Sequence, residues 1–155
     1  MTLDHRLRLG ETVILGSHTF TADEIKAFAA KYDPQPFHVD EEAAYNSVFG
    51  SLCASGWHTC ATWMKYNLRH QEAERAAGRW AHDAEPEFGP SPGFENLQWL
   101  RPVFAGETIT FTRKAVRHRP LASRPGWRLL SLEGEAFNED GTKVLSFENV
   151  VLVKE

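Results

Sequence analysis

The chain has 155 residues, 42% of them hydrophobic and 25% charged, with a formal net charge of −4. This composition fits one globular domain over residues 1–155, long enough to close a single core. The acidic balance argues against a nucleic-acid footprint, no apolar run is long enough to cross a bilayer, and Met1–Gly10 is too charged for a signal peptide.

Thr12–Phe20 carries Val13, Ile14, Leu15, Thr19 and Phe20 and reads as a first strand. Thr21-Ala22-Asp23-Glu24 offers a capping box, with Ile25, Phe28 and Ala29 at helical spacing behind it. That helix is expected to stop before Asp33, because Pro34 disfavours helical geometry in the residue ahead of it. The run Tyr32-Asp33-Pro34-Gln35-Pro36-Phe37-His38-Val39-Asp40 holds two prolines. It predicts a stiff, non-helical linker with a carboxylate at Asp33 and an imidazole at His38. Two such groups at a fixed separation can grip one water molecule from two sides. Asp40 reads as the N-cap of a short helix over 41–45 rather than as a catalytic acid.

The longest helix is expected from Ser55 or Gly56 to Gly78, about 22 residues and roughly 33 Å. Trp57, Cys60, Ala61, Met64 and Leu68 form its apolar stripe, read as the face turned to the core. Gly56 at the first turn is a candidate oxyanion donor through its backbone N–H, where unpartnered amides meet the positive end of the helix dipole. Ser55 is expected to cap this helix or to touch substrate. Cys53 and Cys60 would share one helix face, unable to bridge easily, and read as small apolar core residues of a reducing compartment, hence cytoplasmic. His58 reads as a packed or exposed histidine.

Residues 84–93 hold three prolines and two glycines and read as a loop. Four strands are expected near Phe94–Leu100, Glu107–Val116, Trp127–Phe137 and Lys143–Val153, with a hairpin turn at Asn138-Glu139-Asp140-Gly141. Helices first and a strand meander afterwards argue for an α+β fold. No His, Cys or carboxylate grouping has zinc spacing, so no metal is expected, and neither a nucleophile elbow nor a nucleotide loop is present. The basic run Arg113, Lys114, Arg117, Arg119, Arg124 and Arg128 is either a landing place for phosphates or a solvated hairpin, the latter being preferred.

Asp33, Pro36, His38 and Asp40 resemble the Asp-x-Asn-Pro-x-His-x-Asp motif of the MaoC-like, or (R)-specific, enoyl-CoA hydratases. The resemblance continues through Phe49-Gly50, Ala54-Ser55-Gly56 and Leu97-Gln98-Trp99-Leu100-Arg101-Pro102-Val103-Phe104-Ala105-Gly106-Glu107, with Gln35 standing where the family has Asn. It implies a hot-dog fold, in which an antiparallel sheet wraps a long central helix, and a homodimer or dimer of dimers. It also implies interconversion of trans-2-enoyl and (R)-3-hydroxyacyl thioesters. Coenzyme A or an acyl carrier then enters as part of the substrate, and no separate cofactor is needed. By the same resemblance Asp33 is the base, His38 orients the water and shares proton delivery, and Gly56 holds the enolate oxygen. A partly apolar site would raise the pKa of Asp33 toward neutrality. Phe37 and Trp57 are expected beside the acyl chain, with Trp57 narrowing the tunnel. An acyl-CoA thioesterase and a non-catalytic acyl-CoA-binding protein are the alternatives.

Overall fold

The computed structural model describes residues 1–155. Helix α1 (Leu3–Arg6) precedes strand β1 (Thr12–Thr19), and three short helices follow: α2 (Ala22–Tyr32), α3 (Pro36–Val39) and α4 (Glu41–Tyr45). The 21-residue helix α5 (Gly56–Ala76) then leads to β2 (Gly93–Trp99), β3 (Thr108–Pro120), β4 (Trp127–Phe137) and β5 (Lys143–Lys154). All strand pairs are antiparallel, in the order β1-β3-β4-β5-β2. With α5 laid across one face of this sheet, the chain has the hot-dog fold.

The local signals act as the chain chemistry dictates. Thr21 accepts from the Glu24 amide and the Glu24 side chain accepts from the Thr21 amide, the reciprocal cap expected of α2. Asp40 accepts from the Ala43 amide at 2.7 Å and starts α4. At the hairpin, Asn138 Oδ1 accepts from the amides of Asp140 and Thr142, while Gly141 takes a φ of 77°. Gly78, also at positive φ, closes the last turn beyond α5. Two segments depart from the sequence reading. The linker is not extended throughout, because Pro36 is the first residue of a one-turn helix that includes His38. A proline suits that position, where its missing N–H would have no partner anyway. Helix α1 has no strong pattern of its own. It is tied to the sheet by Asp4, which accepts from His118 Nε2 at 2.6 Å, while Arg128 Nε donates to His118 Nδ1.

The core lies between α5 and the concave face of the sheet. Phe20, Ile25, Trp63, Ile109, Phe111, Leu145 and Val144 are its largest buried members. A smaller cluster, Ala115, Leu130, Leu132 and Val153, packs under Leu3 and Leu7. The face of α5 turned to the sheet overturns the sequence reading. His58, Thr59, Thr62, Trp63 and Asn67 are buried, whereas Trp57, Met64 and Leu68 are 42–53% exposed. Part of the buried polarity finds partners, although His58 Nδ1 is buried without one. Thr62 donates to His58 O at 2.8 Å, and Trp63 Nε1 donates to Thr112 O at 2.9 Å. Cys53 also departs from expectation: it lies ahead of α5, bridged to Phe104, and not on the helix. No helix is long and apolar enough to cross a membrane.

Candidate active site

The end of α2, the turn of α3 and the start of α5 converge on one cleft. Asp33 is the C-cap of α2, its amide donating to Ala29 O at 2.9 Å. His38 is buried on α3, with Nε2 3.5 Å from Asp33 Oδ2. His38 Nδ1 lies 2.6 Å from the carbonyl of Cys53. A carbonyl only accepts, so Nδ1 carries a hydrogen, and in the neutral ring Nε2 presents its lone pair toward Asp33. Two acceptors with no hydrogen between them make no direct bond to one another. A water in front of the pair can turn one O–H to each.

Asp33 is held from both sides. Gln35 Nε2 donates to Oδ1 at 2.6 Å and Ser55 Oγ donates to Oδ2 at 2.7 Å. Burial pushes the pKa of this carboxyl up, but these two bonds and the nearby His38 outweigh it and hold it below the ordinary carboxylate range. The upward shift expected from an apolar site is therefore reversed, because the donors compensate the charge more than burial penalises it. Asp33 is ionised throughout the neutral range. By linkage, its depressed folded pKa stabilises the fold above about pH 4, the unfolded value, and that contribution is lost as pH falls through the folded one.

Ser55 is fully buried and does not cap α5 with its side chain. Its Oγ turns to Asp33 and its side chain lies outside the lining of the cleft, which places it to orient the carboxylate. Ser55→Ala removes one donor from the charged form and should raise the pKa of Asp33. Carbon NMR titration of the Asp33 carboxyl should show a higher midpoint in the variant; an unchanged midpoint would mean that the bond does not set the charge.

Gly56 opens α5, and its N–H makes no hydrogen bond within the chain. Its glycine identity has a cause that the sequence did not reveal. A Cβ here would stand 2.3 Å from Cε2 of Trp99, whose Nε1 donates to Gly56 O at 3.0 Å. The indole fills the space that a side chain would need.

Asp33, Phe37, His38, Gly56 and Trp57 all line this cleft of about 530 Å³, together with Thr59, Trp99, Arg101 and Val103. Phe37 meets His38 edge-on at 4.6 Å, and Trp57 meets Trp99 edge-on at 5.0 Å. Sequence reasoning passed over Trp99 and Arg101 as site residues, although both lie in the matched run 97–107. The basic run does not reach the cleft: Arg117 and Arg128 pair with Glu148 and Glu155. Arg101 is the cation at the cleft. Burial pushes the Cys53 thiol up to about 11, so it is protonated at neutral pH and is no nucleophile.

Comparison with known proteins adds to this geometry. The model of the MaoC like domain matches residues 7–124. Among solved structures, the MaoC-like dehydratase from Rhodospirillum rubrum is 31% identical with a TM-score of 0.79, over 100% of this chain and 97% of that one. The (R)-hydratase from A. caviae shares the fold at 22% identity and a TM-score of 0.64, over 92% and 94% of the two chains. The uncharacterised protein YdeM of Bacillus subtilis is 26% identical over 99% of both chains.

Proposed function

This chain belongs to the MaoC-like domain family, and on that footing we propose that it is a hydratase or dehydratase interconverting a trans-2-enoyl thioester and its (R)-3-hydroxyacyl form. The observation that carries the reading is the pair of acceptors, Asp33 Oδ2 and His38 Nε2, set 3.5 Å apart beside the unpartnered Gly56 N–H. In hydration a water held by the pair loses a proton to it as oxygen bonds to Cβ. The electron pair of the Cα–Cβ double bond moves toward the thioester carbonyl, whose developing charge accepts from the Gly56 N–H. The proton held by the pair is then delivered to Cα, so one water is added and nothing is oxidised or reduced. Asp33 is the base and holds the water's orientation, His38 relays the proton, and dehydration runs the same steps backward.

The substrate is an acyl-CoA or acyl-carrier thioester, with Phe37 and Trp57 flanking the acyl group and Arg101 offered to phosphate at the mouth. The Trp57–Trp99 pair narrows the cleft and favours short chains. The assay is loss of the conjugated enoyl absorbance of crotonyl-CoA beside a thiol-reactive dye. Enoyl loss without thiol release is expected. Thiol release would make the protein a thioesterase, and unchanged enoyl-CoA across short, medium and branched chains would make it a binder.

The working form is a homodimer. Trp57, Met64 and Leu68 on α5 and Phe94, Trp99 and Leu100 on and after β2 are all 42–54% exposed. So much exposed apolar side chain on two elements is the signature of a surface that a partner covers. Leu68→Glu places a charge there and should shift the sedimentation coefficient from dimer to monomer. A variant that sediments like the wild type would place the interface elsewhere.

A further inference from the structure

A second cavity, of about 280 Å³, lies under the later turns of α5 and shares no lining residue with the Asp33 cleft. Ala115, Leu130, Leu132 and Val151 of the sheet line it, as do Met64 and Leu68 of α5, which also belong to the face proposed to meet a second copy. One sheet residue in this lining is out of keeping with its neighbours on the strand. Alternate residues of a strand share a face, so Phe111, Arg113 and Ala115 stand in one row of β3. Phe111 and Ala115 are core residues, and Arg113 is the cation between them.

The guanidinium of Arg113 has five N–H donors to satisfy. One hydrogen bond is made, from Nη1 to Asn67 Oδ1 at 2.6 Å. Its acidic neighbours are otherwise engaged. Glu74 is held by Arg8 at 2.8 Å and Arg79 at 3.7 Å, and Glu85 by Arg75 at 2.7 Å. The cavity is lined by Arg6, Arg8, Arg79 and Arg113 against only these two carboxylates, which leaves an excess of positive charge. Burial lowers the pKa of Arg113, with Glu74 opposing and Arg8 reinforcing, the sign of a cation short of counter-charge.

We propose that this cavity is a binding site for a small carboxylate with an apolar body, separate from the Asp33 cleft. The carboxylate takes parallel N–H bonds from Arg113, a pairing for which the planar guanidinium is shaped. The apolar body lies along Leu130, Leu132 and Ala115. A neutral molecule of the same shape leaves the guanidinium uncompensated and so binds less well.

The test is calorimetric titration of the full-length protein with octanoate and, separately, with octanol. One saturable octanoate site per chain is expected, with octanol weaker by roughly tenfold or more. Arg113→Met should remove that preference, while Asp33→Asn should leave octanoate affinity unchanged. If Arg113→Met does not fold, Ala115→Phe fills the cavity, keeps the guanidinium and should abolish octanoate binding. Absence of a saturable octanoate site in the wild type, or equal affinity for octanol, would overturn the proposal without any variant. So would loss of binding in Asp33→Asn, which would place octanoate in the cleft.

Discussion

Asp33→Asn is expected to lower kcat/KM for enoyl-CoA hydration by roughly 100- to 10,000-fold while leaving Tm within a few degrees of the wild type. The separation of the two effects follows from the hydrogen bonds. The amide oxygen of Asn can still accept from Gln35, and its NH₂ can donate to the Ser55 hydroxyl, which accepts as readily as it donates. The frame is therefore kept, and what disappears is the negative charge that draws a proton from water. His38→Ala should be equally inactive but less stable. It leaves the buried Cys53 carbonyl without its donor, at a cost of about 1–3 kcal/mol. Steady-state kinetics and thermal melts of both variants check this. Near-wild-type turnover in Asp33→Asn would remove the carboxylate from the mechanism.

The second large effect is expected at Gly56. Gly56→Ala would add a methyl group 2.3 Å from Trp99 Cε2 and 2.6 Å from both Cδ2 and Nε1. A helix normally gains up to about 1 kcal/mol when glycine becomes alanine. Overpacking against a rigid indole costs about 1–3 kcal/mol, and at these distances it dominates. Tm should therefore fall by several degrees. Since Trp99 also lines the cleft and holds the Gly56 carbonyl, its displacement moves the amide proposed to receive the enolate oxygen. A loss of roughly 100-fold in kcat/KM is expected. Combining Gly56→Ala with Trp99→Leu should restore Tm relative to the sum of the two single effects, because the clash is then gone. Strict additivity would mean that Gly56 is required for another reason.

Much of this arrangement was legible in the residues. Strand boundaries followed alternation, as in Ile109 and Phe111 on β3, and the caps at Thr21 and Asp40 followed side-chain chemistry that acts over three residues. The Asp33 and His38 pairing was legible because prolines restrict the chain between them. What was not legible depended on contacts distant in sequence. The spacing of Trp57, Met64 and Leu68 marks one face of α5, but periodicity does not say whether sheet or solvent lies against it. The buried face carries His58, Thr59 and Thr62, of which Thr62 bonds locally to the His58 carbonyl, and a polarity scale reads that face as outward. Serine before a helix commonly caps it, and nothing near Ser55 in the sequence points elsewhere. Its hydroxyl instead turns to Asp33, 22 residues earlier, and with Gln35 reverses the expected direction of the Asp33 pKa. Arg113 gave only a faint signal, a cation in an apolar row of a central strand.

The most direct measurement uses crotonyl-CoA in water carrying heavy oxygen, with mass analysis of the products from the wild type and Asp33→Asn. The account predicts one heavy oxygen on C3 of an intact 3-hydroxyacyl-CoA formed by the wild type, and no such product above background from the variant. Heavy oxygen in a free carboxylate, with coenzyme A released, would contradict it, as would unlabelled crotonyl-CoA recovered intact from the wild type.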